Sequence, residues 1–326
     1  LAEESNRDWR LALNPSFSSD TWEGRSSSGA EASRWRDRLW LHILLFVLTV
    51  ASSTVFGTAL ATSFFLDRPL DLNLVGEGYI HLLHADPQLL SGLWFSVPLL
   101  LILLSHEFGH YFACRYWKVE ASLPYFLPSP TLMGTLGAFI RIRSPIYTRR
   151  SLFDIGFSGP VAGFIALLPF LIAGVWISRV SPGIASHGDF TFGTPLALRI
   201  VEQIRFPGVN PRDISLHPIA RAAWAGLLAT AINLLPIGQL DGGHILFAFF
   251  GARHRQLSRW FALMLLPLGI FYWPWIVWAV VLLIFGLRHP LVYDPEPLDA
   301  GRVKLGIAAL LIFALSFSLV PVEQSI

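Results

Sequence analysis

Residues 105–110 read SHEFGH and close the apolar run LLSGLWFSVPLLLILL. In a helix, residues four apart lie one turn above each other on one face, so His106 and His110 can offer two imidazoles to one metal ion. Glu107 is rotated away from that face and can reach a water on the same ion. This is the logic of H-E-x-x-H: zinc lowers the pKa of its water, and the glutamate takes the proton as the water attacks a carbonyl. The plainer reading is three polar residues paired among themselves at a helix end. Burial speaks against it, because an ionisable side chain at membrane depth costs about 2.5–3.5 kcal/mol and usually marks function.

A catalytic zinc needs a third protein ligand and an open position. Polarity enters an apolar segment again at AINLLPIGQLDGGH, residues 231–244. Asp241 is surrounded there by Pro236, Gly238, Gly242 and Gly243, which break helices. Non-helical backbone survives at membrane depth only inside protein or beside a water-filled cavity. The segment is therefore expected to be a broken helix that turns its carboxylate inward. His244 is the rival ligand; Asp241 is preferred because a carboxylate in lipid needs the stronger reason to exist. His81 and His84, with Asp86, also have metal-binding spacing, but in an external loop solvated histidines are the better reading.

The elements that must carry these groups follow from composition. Of 326 residues, 53% are hydrophobic and 14% charged, and the mean hydropathy is +0.54. A soluble domain carries about a quarter charged residues, so the chain reads as a polytopic membrane protein in a lipid bilayer. Net charge is only +2, and no basic block interleaved with aromatics suggests a nucleic-acid partner. Cys114 is the sole cysteine, which excludes an internal disulfide framework and a cysteine-ligated zinc.

Apolar segments fall at about 39–65, 89–113, 152–178, 218–250, 257–287 and 303–320, giving about six transmembrane helices. The segment 257–287 carries YWPW and reads as one kinked helix or two short ones. Tyr272, Trp273, Trp275 and Trp278 suit an interfacial belt or packing equally. Residues 1–38 form a flexible polar tail, 39–88 the first helix and an external loop, 89–250 a catalytic core membrane domain, and 251–326 the C-terminal helices. Arginines and lysine cluster before the first helix (Arg34, Arg36, Arg38), between the second and third (Arg115, Lys118, Arg141, Arg143, Arg149, Arg150) and after the fourth (Arg253, Arg255, Arg259). The remaining loops are acidic, with Asp67, Asp71, Glu77 and Asp86, or Asp294, Glu296 and Asp299, or mixed across 179–217. Six spans with both ends on the positive, cytoplasmic side fit this pattern, and it brings HEFGH and LDGG to similar depth.

HEFGH in one transmembrane helix with NLLPIGQLDGGH in a later one resembles the site-2 protease family of intramembrane zinc metalloproteases, peptidase family M50. GTLGAFIRIRSP (134–145) and SLFDIGFSGPVAGF (151–164) look like its small bacterial and plastid branch without a PDZ domain. The resemblance implies Zn2+ held by His106, His110 and Asp241, Glu107 as the base, and Asn233 holding or polarising the scissile carbonyl. It implies an all-α fold with a three-helix catalytic core (about 89–178 and 218–250) and cleavage of a transmembrane protein substrate within or next to its membrane segment. A catalytically silent relative that binds membrane proteins is the alternative. Localisation in a bacterial inner membrane, with the active site nearer the cytoplasm, is expected.

Other segments have physical readings of their own. AFIRIRS alternates with period two, which suits a re-entrant β-hairpin whose edge strand pairs with an unwound substrate peptide. Gly159 and Gly163 read as small residues that let helices approach closely, not as chemistry. Pro160 is expected near a helix start or at a kink. The Gly/Ser/Thr-rich first helix and the last helix are candidates to gate lateral access.

Overall fold

The computed structural model describes residues 38–324 apart from 131, 184–189, 286–291 and 293–295. The tail expected over 1–38, and Asp294, thus lie essentially outside the described residues. The chain divides into units 1–39 and 40–326, and the helices and strands belong to the second, whose first helix begins at the boundary.

Among the described residues, three helices are long and apolar enough to cross a membrane. They are α1 (Leu39–Phe65), with α3 (Leu93–Tyr116) and α4 (Arg149–Trp176); the short α2 (Leu72–Leu83) lies between the first two. At 1.5 Å per residue, 24 to 28 residues span about 36–42 Å. The other three expected spans are shorter or divided. Residues 218–250 form α6 (Pro218–Asn233) and α7 (Asp241–Phe250), separated by an irregular stretch. Residues 257–287 resolve into two helices, α8 (His254–Leu268) and α9 (Pro274–Phe285), with Pro274 opening the second. The last is α10 (Ala300–Ser316), of 17 residues. One amphipathic helix, α5 (Leu196–Arg205), lies in the loop between α4 and α6.

The fold is mostly helical, yet it is not purely α: among the described residues three two-stranded antiparallel sheets decorate it. β1 (Tyr125–Pro128) pairs with β2 (Thr135–Phe139) with Tyr125 opposite Phe139 and a register shift between Phe126 and Pro128. The chain stays extended beyond β2, where Ile142 bridges to Ala121. This extended stretch carries the period-two alternation of AFIRIRS. β3 (Arg179–Val180) pairs with β5 (Ile214–Ser215), and β4 (Phe190–Phe192) with β6 (Val322–Gln324).

At the centre, α4 packs on α3, α6 and α7. Ala220, Ala222, Ala223 and Ala225 of α6 are all buried. Small side chains let helix backbones approach where lipid offers no hydrophobic incentive for association. Pro160 sits well inside α4 rather than near its start. The helix begins before the apolar run because the Thr148 side chain accepts the Ser151 N–H and caps it. Where α4 meets α10, Asp154 accepts two hydrogen bonds from the Arg302 guanidinium, at 2.8 and 2.6 Å, and one from the Trp117 indole.

Candidate metal centre

His106 and His110 project from α3 into the packed interior, toward α4. Close approach explains their neighbours on α4. A Cβ added at Gly159 would meet His110 Nε2 at 2.1 Å, and one at Gly163 would meet the His106 ring at 3.2 Å. Both glycines thus clear room for the histidines, and neither offers a reactive group.

Asp241 comes from the broken segment. After Asn233 the chain turns through Pro236 and Gly238 and re-forms a helix whose first residue is Asp241. The carboxylate therefore lies at a helix N-terminus, where negative charge is favoured. Ser258 of α8 serves the break: its hydroxyl lies 3.3 Å from the Pro236 carbonyl and 3.4 Å from the Gly238 N–H. That satisfies backbone groups that would otherwise be costly away from water. Gly242 and Gly243 are required by the fold-back, since a Cβ at either would lie about 2.1–2.2 Å from a carbonyl oxygen of Leu234 or Gly238.

The three donors converge. His106 Nε2 is 3.1 Å from His110 Nε2 and 3.2 Å from Asp241 Oδ2, and His110 Nε2 is 3.3 Å from Asp241 Oδ2. Among the described residues these three form the one group of three or more potential ligands close enough to hold a metal ion, and His244 is not part of it. A tetrahedral ion with bonds of about 2.0–2.1 Å has ligand atoms about 3.3 Å apart, so this triangle fits one face of such a site. The tautomer fits as well. His110 Nδ1 is 2.7 Å from the Ile155 carbonyl, which only accepts, so Nδ1 carries the proton and the Nε2 lone pair points to the shared centre. The Asn233 side-chain amide, at the end of α6, lies 3.3 Å from His106 Nε2.

Glu107 is buried beside the triangle. It lines a cleft of about 540 Å³ together with His106, Asn233, Leu136 and Gly137 of β2, and Trp278 of α9. The backbone at Ile140, where the extended segment continues past β2, lies close to the Glu107 carboxylate. β2 thus borders the space next to the triangle of donor atoms. Tyr272 also lines this cleft, and Trp275 is buried, its indole donating to the Leu319 carbonyl; Trp273 is the most exposed of the four, and Trp278 is exposed to a lesser degree. By contrast, His81 pairs with Asp86 at 3.0 Å, and His84 bonds the Ile80 carbonyl of its own helix.

Three contributions to the site escape sequence reading: the Ile155 carbonyl, the Ile140 backbone and the Asp154–Arg302 strut. Only the last has a signal in residue type, a charged pair flanking apolar helices.

Residues 94–273 match the profile of peptidase family M50. A curated rice protein (Oryza sativa subsp. japonica), "Probable zinc metalloprotease EGY1, chloroplastic", is 30% identical over 303 residues, 87% of this chain and 51% of its own length. Its Arabidopsis thaliana namesake is 31% identical over 225 residues, 65% of this chain and 40% of its own. "Probable zinc metalloprotease EGY2, chloroplastic" of Arabidopsis thaliana is 32% identical over 221 residues, 64% and 38% respectively. The chain spans about half the length of these relatives, or less.

Proposed function

We propose, from the premise that this chain belongs to peptidase family M50, that it is an intramembrane zinc metalloprotease cleaving membrane proteins within or next to a transmembrane segment. The observation that carries this reading is the triangle of His106, His110 and Asp241 donor atoms, with Glu107 buried beside it. A silent binder of membrane proteins would gain nothing from that glutamate.

His106, His110 and Asp241 would hold the zinc, which when bound supplies a water acidified to a pKa of about 7. Glu107 takes the proton of the attacking water and returns it to the leaving amine. The Asn233 amide donates to the carbonyl oxygen as negative charge grows there. The substrate backbone lies extended along the free side of β2, since the carbonyls of an intact helix are already hydrogen-bonded and shielded.

The wider arrangement belongs to the same reading. The chain crosses the bilayer six times around a core of residues 89–250, with the β1–β2 hairpin re-entrant and the first and last helices admitting substrate sideways. The Lys/Arg-rich loops support a metal centre near the cytoplasmic or stromal face. The chloroplastic names of the relatives favour a plastid-type membrane as much as the bacterial inner membrane expected from sequence.

The test is zinc content by elemental analysis together with cleavage of a transmembrane reporter. Asp241→Ala is expected to lose the zinc of the wild type. Glu107→Gln is expected to keep it while cleavage falls by about 10²–10⁴-fold. Wild-type protein that is well folded but holds no zinc would point instead to the silent binder.

A further inference from the structure

A second cleft, of about 570 Å³, lies between the broken segment, α7, α8 and α10, lined only by apolar side chains and glycine. Leu235, Pro236 and Ile237 of the break form one wall, Phe249 of α7 and Met264 of α8 lie alongside, and α10 lines it from Val303 to Phe317. Those α10 residues cover about 21 Å along the helix axis, more than the roughly 15 Å of hydrocarbon in one bilayer leaflet. Met264, Ile307 and Leu310 are exposed, so the groove opens outward from the bundle.

Its wall is apolar along its whole length, as an acyl chain requires. A single hydrocarbon chain is thin enough to lie in it.

Charge decides what the chain is attached to. The groove end at Val303 and Phe250 is flanked by Arg253, Arg255 and Arg259 around the start of α8 and by Lys304 of α10, all exposed. The carboxylates nearby are engaged elsewhere: Asp154 and Asp299 pair with Arg302, and Glu296 with Arg150. Among the described residues no carboxylate pairs with any of the four cations. At headgroup depth each such cation strengthens binding of an anionic lipid about fivefold.

We propose that this groove binds an anionic glycerophospholipid of the surrounding membrane, one acyl chain lying along α10 and the phosphate held among Arg253, Arg255, Arg259 and Lys304. The chain would rest against the irregular segment that carries Asp241. The site requires that the protein lie in a membrane and does not depend on catalysis.

Native mass spectrometry of the full chain in detergent, with phosphatidylglycerol and phosphatidylcholine of matched chains added, tests the proposal. Wild-type and Glu107→Gln proteins are expected to retain one phosphatidylglycerol in preference to phosphatidylcholine. The double variant Arg253→Gln, Arg255→Gln should bind it about 25-fold more weakly. Leu310→Trp fills the groove from an exposed position and should abolish retention with the cations intact; Met264→Trp does the same from the opposite wall should the first variant fold poorly. Equal retention of the two lipids, undiminished retention in both tryptophan variants, or a copurifying peptide in place of phospholipid would each overturn the proposal.

Discussion

His110 is held at both ends of its ring. Nδ1 donates to the Ile155 carbonyl of α4, and Nε2 faces His106 and Asp241. The same helix supplies the orienting carbonyl and, one turn on, Gly159, whose missing Cβ leaves room for the ring. That pairing makes Gly159→Ala a sharp probe, because the added methyl would compete for the space occupied by Nε2. The ring would have to turn, breaking the bond to Ile155, or α3 and α4 would have to separate. Losing the hydrogen bond that orients a ligating histidine costs about 10–100-fold in metal affinity. Gly159→Ala is therefore expected to lower zinc affinity by at least that factor, measured by competition with a chelator. Gly163→Ala, whose methyl meets the His106 Cβ at 3.1 Å and its ring at 3.2 Å, should lose less. Equal affinity in Gly159→Ala and wild type would mean that α4 does not set the position of His110.

At the scale of elements, the proposed metal and substrate sites draw on different pieces of chain: the α6–α7 break brings Asp241 in, and β2 borders the cleft. Gly137 of β2 has φ of +104° with open space around its absent Cβ, so a side chain there is disfavoured by the backbone rather than by crowding. Strain of about 1–3 kcal/mol would be relieved by re-aiming the strand edge. Gly137→Ala should thus reduce cleavage at least about fivefold while zinc content stays at the wild-type level. Unchanged cleavage would remove β2 from substrate binding. This division also explains what the sequence disclosed. HEFGH and LDGGH stood out because charged groups and helix breakers are costly in apolar segments, and their residue types carry the chemistry. The Ile155 carbonyl and the Ile140 backbone were invisible, since every residue has such groups and only packing selects them. The division of 254–285 into two helices stayed ambiguous because GIFYWPW is apolar on both sides of Pro274. The β4–β6 pairing joins residues 190–192 to 322–324, a separation no local pattern encodes.

Across the whole molecule, two buried titratable groups outside the membrane-spanning helices make stability depend on pH in opposite directions. Glu202 of α5 is buried, and desolvation pushes its carboxyl up to about 7, only partly opposed by the Arg221 and Arg199 charges. Between the ordinary value near 4.5 and 7 the folded chain holds a proton that the unfolded chain releases, so this contribution is lost as pH rises through that window. Its size is about 3 kcal/mol. His217, ahead of α6, is buried among Phe64, Phe65 and Trp94, and burial pushes its imidazole down to about 4. Here the unfolded chain takes up the proton first, so stability grows as pH rises from about 4 to 6.5, again by about 3 kcal/mol. Over most of the acid range the two nearly cancel, and above pH 6.5 only the decline from Glu202 remains. Glu202→Gln removes one side of this balance. Thermal melts in detergent are then expected to lie close together for variant and wild type at pH 5 and to separate at pH 8, the variant higher by an amount equivalent to about 3 kcal/mol. The variant alone should gain stability steadily from pH 5 to 6.5, tracing the His217 contribution. Parallel curves for the two proteins from pH 5 to 8 would mean that Glu202 is ionised in the folded chain throughout, stabilised by Arg221 and Arg199 more strongly than burial disfavours it.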